Sequence, residues 1–355
     1  MNVQTWKIIP YGLSGLHIGK QGMAQERSSI IYHSDSLFSA LFQTLAAVSD
    51  KIHFDELLNE FNSGDPPFSI TSAYPFAGHI RFFPMPLNVR FAENPQDKTN
   101  ALKEKELKRI SFVSEKIFRK LLGNYSKLSE NLIPTQLLKG GLLVSEAELQ
   151  NLPVDIRKNG RRIFEDQEKH ARVTIGRINN ASNLFFTGNV RFAPDCGLWF
   201  GIKWLKQTSP WKETLPFLFS LLEDEGIGGE RSSGIGQVKI EPWRTVELPD
   251  PSGKQWITLS RYLPLPEEFP ALSDKNARYS LDFVGGWMYS PGSSSQRRKS
   301  INMLKEGSVL GALANQPIGK IENVAPSYAN TQFSEHAVYR SGLAIGVGFD
   351  EESNQ

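Results

Sequence analysis

Gly226-Ile227-Gly228-Gly229-Glu230-Arg231-Ser232-Ser233-Gly234-Ile235-Gly236, running into Gln237-Val238-Lys239-Ile240-Glu241 and then Pro242, is the stretch that decides how the chain is read. Five of its first eleven residues are glycine, where the overall usage of 29 in 355 would supply about one. Residues without a Cβ let the backbone take positive φ and bring its amides close to a ligand, and Arg231 supplies the charge that a phosphate wants. The combination reads as an anion cradle. The alternating Gln237–Glu241 segment that follows is a strand pattern, closed by a proline. Loop then strand separates this cradle from the common nucleotide-binding loops, which open a helix. Neither spacing is met: Gly19-Lys20 is followed by Gln21 and Gly319-Lys320 by Ile321, and no G-x-G-x-x-G fits within residues 226–236. A dinucleotide or ATP site is therefore disfavoured.

With 355 residues the chain exceeds the usual size of one core, so two domains are expected. Its 39% hydrophobic and 22% charged residues are those of an ordinary folded protein, and its formal net charge of +2 leaves room for a local basic surface. A single cysteine, Cys196, excludes an internal disulfide and a multi-cysteine zinc site, and fits a reducing cytoplasm. No apolar run reaches membrane-spanning length, and the opening Met1-Asn2-Val3-Gln4-Thr5-Trp6-Lys7 does not read as a secretory signal.

Outward from the loop, strand and helix patterns alternate unevenly. Thr5–Tyr11 reads as an opening strand. Ser34 is expected to cap a helix with Asp35 in its first turn and Leu37, Phe38, Leu41, Phe42, Leu45 and Val48 as its buried stripe. Pro66, Pro67, Pro75, Pro84 and Pro86 restrict residues 62–90 to short strands and turns. A second helix is expected over about Asn100–Leu122, with Ile110, Val113, Ile117 and Leu121 inward. Leu198, Phe200, Ile202 and Trp204 alternate as a strand. A further helix leads to Glu223-Asp224-Glu225, acids that oppose the dipole at its C-terminus and so suggest a basic neighbour such as Arg231.

Two segments carry a local excess of positive charge. Arg157–Arg177 holds seven Lys or Arg against three acids, and its alternating Arg172–Arg177 with Leu184-Phe185-Phe186 reads as a long hairpin. Such a basic hairpin suits a polyanion or a solvated surface equally. After Pro249–Gly253, a linker pattern, the chain is strand-rich: Trp256–Tyr262, Tyr279–Tyr289 and Ser341–Phe349. Between these lies Ser293-Ser294-Ser295-Gln296-Arg297-Arg298-Lys299-Ser300, read as a solubilising basic surface rather than a phosphate contact.

The stretches His33–Leu41, Lys139–Leu143, Val173–Arg177, Gly228–Gly236 and His336–Gly342, taken in order, resemble the RAMP superfamily of CRISPR effector proteins, and within it the subunit-four family of the type III-A Csm complex. The resemblance runs from residue 33 to residue 348. It implies an α+β fold with two ferredoxin-like (RRM-like) βαββαβ domains, insertions and a protruding β-hairpin thumb. The first domain would span 1–248, with an inserted helical segment, the thumb at about 157–187 and the glycine-rich loop at 226–236. The second would span 254–355. The resemblance further implies a non-catalytic RNA-binding subunit of an antiviral interference complex. Such a subunit holds the 5′ handle of the CRISPR RNA and docks against the large polymerase-like Cas subunit and the repeated backbone Csm subunit, with target RNA passing near the thumb.

Carried onto this chain, the cradle is Gly228, Gly229, Arg231, Ser232, Ser233, Gly234 and Gly236, with Arg231 as main charged contact. The thumb contributes His170, Arg172, Thr174, Arg177 and Asn179, and His33, Ser34, Arg340 and Ser341 line the same region. Relatives often carry an acid just before the thumb arginine, where this chain has Gly176. No cofactor and no metal are implied. The alternative within the superfamily is a stand-alone endoribonuclease that processes precursor CRISPR RNA, for which His17 and His33 are the candidate bases. A small-molecule enzyme using the glycine loop is a third and more distant reading. No H-E-x-x-H, no G-x-S-x-G and no acidic pair with two-metal spacing occurs.

Overall fold

A computed structural model describes residues 1–11, 14–19, 28–89, 102, 104–123, 132–158, 162–166, 170–175, 182–287, 296–316, 318–326 and 337–349. Within them the fold is mixed α+β, with one nine-stranded sheet and five small sheets. At the heart of the large sheet, Val238–Glu247, Asn2–Pro10, Cys196–Trp204 and Tyr74–Ala77 lie side by side, each pair antiparallel. Phe68–Ile70 pairs with the far end of Cys196–Trp204, so it and Tyr74–Ala77 act as one interrupted strand. Followed along the chain, these strands and the helices Ser34–Val48 and Trp211–Glu225 trace a β-α-β-β-α-β path, with residues 78–195 inserted between its second and third strands. The insertion extends the sheet through Ile80–Pro84, Phe112–Ser114, Leu142–Leu143 and Leu137–Leu138.

The strand Cys196–Trp204 is central and covered on both sides. Leu198, Phe200 and Ile202 face a core shared with Leu37, Phe38 and Leu41 of one helix and Leu215, Leu218 and Leu222 of the other. Trp199 points the opposite way, into a core with Tyr74, Phe76, Phe82, Phe83 and Phe118. A strand buried on both faces reads as a continuous apolar run, and this is why no polar side chain interrupts Cys196–Ile202, while Lys203 comes where the burial ends. By contrast Val238–Glu247 is an outer strand, which lets it run on through Pro242 to Glu247 without losing a ladder bond to a neighbour.

Three local expectations change. Ser34 does not cap its helix: His33 is the N-cap residue and makes no side-chain cap bond, while Ser34 Oγ accepts from the Arg261 amide at 2.9 Å. Val48, expected in the buried stripe, is 50% exposed. The helix expected over Asn100–Leu122 is broken into Glu104–Leu107, a strand Phe112–Ser114 and the helix Glu115–Gly123. Ile110, Val113, Ile117 and Leu121 are all buried as expected, but Phe112 and Val113 are taken by ladder bonds to Pro84 and Phe83 on one side and Leu142 and Leu143 on the other. Tertiary pairing thus overrides a helical spacing.

Beyond residue 250, Val309–Gly311, Gln255–Thr258 and Gly346–Phe349 form a three-stranded sheet, and Leu281–Val284/Ile301–Leu304 and Ile321–Asn323/Tyr339–Ser341 form hairpins. Among the described residues this part contains a 3₁₀ helix at Pro266–Leu272 and no α-helix, so a second βαββαβ path is not traced there. It is fused to the rest through the core: Ile257, Leu259, Val309, Ile345 and Val347 share one buried cluster with Val3, Phe83 and Phe118. No helix among the described residues is long and apolar enough to cross a membrane.

Candidate nucleic-acid interface

The glycine loop leaves the helix Trp211–Glu225 at Gly226 and enters the strand Val238–Glu247. Its neck is closed by the Ile227 amide donating to the Gly236 carbonyl at 2.8 Å. Gly236 takes φ +90°, and a Cβ there would stand 2.2 Å from the Ile227 carbonyl oxygen, so the neck has room only for glycine. The loop is seated on residues 15–17: the Gly229 amide donates to His17 O at 2.8 Å and the Gly236 amide to Gly15 O at 3.0 Å. Its outer part is a 3₁₀ turn, Arg231–Ser233, with left-handed residues at both ends, Glu230 at φ 60° and Gly234 at φ 78°. A non-glycine residue held at positive φ is a strained one, and such strain collects at functional sites. Ser232, Ser233 and Gly234 are exposed.

Two arginines meet this turn. Arg231 pairs with Glu225 at 3.5 Å, so the last acid of the helix faces the loop's own cation and answers the unfavourable dipole position. Arg172 pairs with Glu230 at 3.5 Å, which ties the basic hairpin to the glycine loop. That hairpin pairs His170–Ile175 with Ser182–Thr187, with Val173 opposite Leu184 and Arg172 opposite Phe185. One of its faces carries Val173, Ile175 and Leu184, which are 56%, 66% and 59% exposed; the other carries Arg172 toward the loop. Arg177, Asn179 and the neighbouring Gly176 lie outside the described residues, and for His170 and Thr174 only the backbone position in the strand is given.

His33, Ser34, Arg340 and Ser341 gather around one polar cluster, the last three buried and His33 half-buried. The centre is Asp35, fully buried, whose carboxylate accepts from Arg261 at 3.3 Å and from Arg340. Arg340 also donates to Gly285 O, and Arg261 reaches Asp282 at 3.3 Å. Burial would raise the Asp35 carboxyl, but the two guanidinium groups outweigh it and hold it below its ordinary value. Beside it His33 Nδ1 lies 2.8 Å from Glu306, which also accepts from Ser72 Oγ. Burial again opposes ionisation of Glu306, yet His33, Arg261 and the Ser72 hydroxyl bring it down to about 2. Ser341, 2% exposed, accepts from the Leu343 amide at 3.3 Å. Ser34, Arg340 and Ser341, expected to line the ligand region, are thus buried and bonded within the chain, and half-buried His33 turns Nδ1 to Glu306.

Tyr32 connects this cluster to the loop. It is 7% exposed and packs in one buried cluster with Ile227 of the loop; burial pushes its hydroxyl up to about 12, against the charges of Arg231 and Arg298. His17 is buried, with Nδ1 bonded to Gly188 O and its backbone bridged to Gly229. It supports the loop from beneath. Among the described residues no group of three or more His, Cys, Asp or Glu is placed to hold a metal. Tyr32, Asp35, Arg261 and Glu306 went unmarked as site residues because their partners are remote in sequence; only the acid in the first helical turn gave a local signal.

Comparison with known proteins adds the following. Residues 251–349 match the family model described as the CRISPR Csm4 C-terminal domain. A protein of Methanocaldococcus jannaschii named CRISPR system Cms protein Csm4 is 24% identical over 387 aligned positions, covering 95% of each chain. Its namesake from Thermococcus onnurineus is 23% identical over 325, covering 90% of this chain and 92% of its own. In three dimensions a chain of the Csm3–Csm4 subcomplex of the type III-A CRISPR-Cas interference complex superposes with a TM-score of 0.63 at 16% identity, covering 98% and 99%. A chain of the Csm1–Csm4 cassette bound to cA4 superposes with a TM-score of 0.57 at 17% identity over the full length of both. At these identities the structural likeness is one of fold.

Proposed function

Since the chain belongs to the Csm4 family of CRISPR subunits, we propose that it is the RNA-binding subunit of a type III-A interference complex that grips the 5′ handle of the CRISPR RNA. The observation that carries the reading is the meeting of Arg172 and Arg231 on an exposed glycine-framed turn. Glycines let the phosphate chain approach the backbone, and the two arginines, each paired among the described residues with one partly exposed carboxylate, can exchange that partner for phosphate at small cost. Glu230 and Glu225 would otherwise repel the same ligand, so the exchange is also a gate on weaker anions.

The β-α-β-β-α-β path of the N-terminal part supports a ferredoxin-like, RRM-like body, and we extend that description to the C-terminal strands only as an interpretation. The similar structures hold Csm4 with Csm3 and with Csm1, and we carry both partners to this chain as its backbone and large-subunit neighbours in the cytoplasm. We read it as lacking an active site of its own. His17 is buried under the loop with Nδ1 on the Gly188 carbonyl, and His33 turns Nδ1 to Glu306, so we assign both rings to holding the structure together.

The test is binding of the purified chain to single-stranded repeat-derived RNA across a salt series. Arg231→Ala should weaken binding and flatten the log–log slope by about 0.7, the value of one phosphate contact to a single strand. An unchanged slope removes Arg231 from the cradle. The same incubations, run with repeat-containing precursor RNA, should return it uncut; metal-independent cleavage lost in His17→Ala would establish the ribonuclease reading instead.

A further inference from the structure

The hairpin Leu281–Val284/Ile301–Leu304 continues past its ladder to a bridge between Trp287 and Arg297. There the Arg297 guanidinium lies 5.0 Å from the centroid of the Trp287 ring, and Trp287 is 60% exposed. Leu281 and Phe283 on the same hairpin are 53% and 61% exposed, so the indole belongs to a larger apolar surface of the kind that marks a contact. The ring's mount is rigid. The Arg298 amide donates to Gly286 O at 2.9 Å, its guanidinium reaches Ser39 Oγ at 3.2 Å, and Gly285 O accepts from Arg340 of the Asp35 cluster. Burial lowers Arg298 to about 10, which leaves it charged at neutral pH. Tyr32 packs in one buried cluster with Ile227 of the glycine loop, and the charges of Arg231 and Arg298 both act on its hydroxyl. The exposed tryptophan and the glycine loop therefore stand on one connected support.

The charge around the ring selects the ligand. From Gln296 to Lys305 the sequence carries Arg297, Arg298, Lys299 and Lys305 and no acid. Arg297 and Lys299 are exposed, while Lys305 is held by Asp282 at 2.9 Å. An exposed indole backed by a guanidinium and flanked by cations fits an unpaired base with its phosphate, because every base has a π-face and its phosphate needs a cation. Lysine is depleted from protein-docking patches, whereas Lys299 stands exposed with Arg297 on this hairpin.

We propose that Trp287, backed by Arg297, is a stacking platform for an unpaired base of the RNA strand that passes the glycine loop, with Arg297 and Lys299 meeting the adjoining phosphates. This rests on the RNA-binding reading above. It assigns to the basic 296–300 segment a ligand contact in place of the solubilising role expected from sequence.

The experiment measures affinity of the full chain for single-stranded repeat-derived RNA and for the same sequence as a duplex, in wild type, Trp287→Ala, Trp287→Phe and Arg231→Ala. Trp287→Ala should weaken single-strand binding by about 5- to 150-fold with no change in salt slope, since a ring contributes no phosphate contact. Trp287→Phe should restore most of the affinity, and duplex binding should be the same in all three Trp287 forms. Unfolding midpoints of both variants should stay near wild type because the ring is on the surface. If Trp287→Ala binds as wild type while Arg231→Ala does not, the platform is refuted and the cradle stands. If wild type binds no RNA, both fall. Loss of association with a Csm1 or Csm3 subunit in Trp287→Ala, with RNA affinity intact, would make the ring a protein contact and overturn the proposal.

Discussion

Gly234 and Gly236 share the left-handed conformation but not the same surroundings, and alanine at each should separate two costs. Gly234, at φ +78°, has nothing within 4 Å of a built Cβ. Gly234→Ala should therefore cost only the left-handed preference, about 1 kcal/mol, partly offset by a stiffer unfolded chain. Gly236, at φ +90°, would set its Cβ 2.2 Å from the Ile227 carbonyl oxygen. Because that atom is backbone, relief means opening the neck, with loss of the Ile227-to-Gly236 bond at 2.8 Å and the Gly236-to-Gly15 bond at 3.0 Å. Two net hydrogen bonds at about 1 kcal/mol each, added to the conformational cost, give about 3 kcal/mol. Urea unfolding of both variants, with RNA binding measured alongside, checks this. Gly236→Ala should be the less stable by about 2 kcal/mol and should also bind RNA more weakly. Equal stabilities for the two variants would refute the view that the neck, and not φ alone, defines the loop.

Asp35→Asn keeps the shape of a buried side chain but leaves Arg261 and Arg340 facing a neutral group, so urea unfolding should register a loss of about 3–5 kcal/mol; a loss under about 1 kcal/mol would remove Asp35 from the centre of the structure. Glu306 is held at about 2 against an ordinary 4.5, so its ionised form stabilises the fold above about pH 4.5, and the stability is lost as pH falls from there toward 2, by about 3 kcal/mol in all. Glu306→Gln should show a smaller acid-induced fall in unfolding midpoint than wild type, and identical profiles would rule out Glu306 as the group responsible.

Much of the fold was legible because it is written locally. The alternation of Leu198, Phe200 and Ile202 announced a strand, and the spacing of Leu37, Phe38, Leu41 and Phe42 a helix, since each side chain's face follows from a fixed backbone period. The glycine loop and the strand after it were legible for a similar reason, as positive φ and alternation leave compositional marks. The helix expected through Ile110 and Val113 failed because Phe112 and Val113 are taken into the sheet by partners at Pro84 and Leu142, pairing that no local period signals, while Ile117 and Leu121 stay on a helix. Val48 failed because a helix's last turn can run past the surface it packs on.

By itself, then, the amino-acid order determined the elements, the family likeness and the loop rich in glycine, all of which depend on neighbours in the chain. Only the tertiary structure decided what those residues face. It turned Arg340 inward, because Asp35 is a buried acid whose charge is met by groups up to 305 positions away, and it buried Ser34 and Ser341 as well. It set Arg172 against Glu230, and left Trp287 outside. Which partner a buried charge finds is fixed by the packing of distant segments, and no local period encodes it.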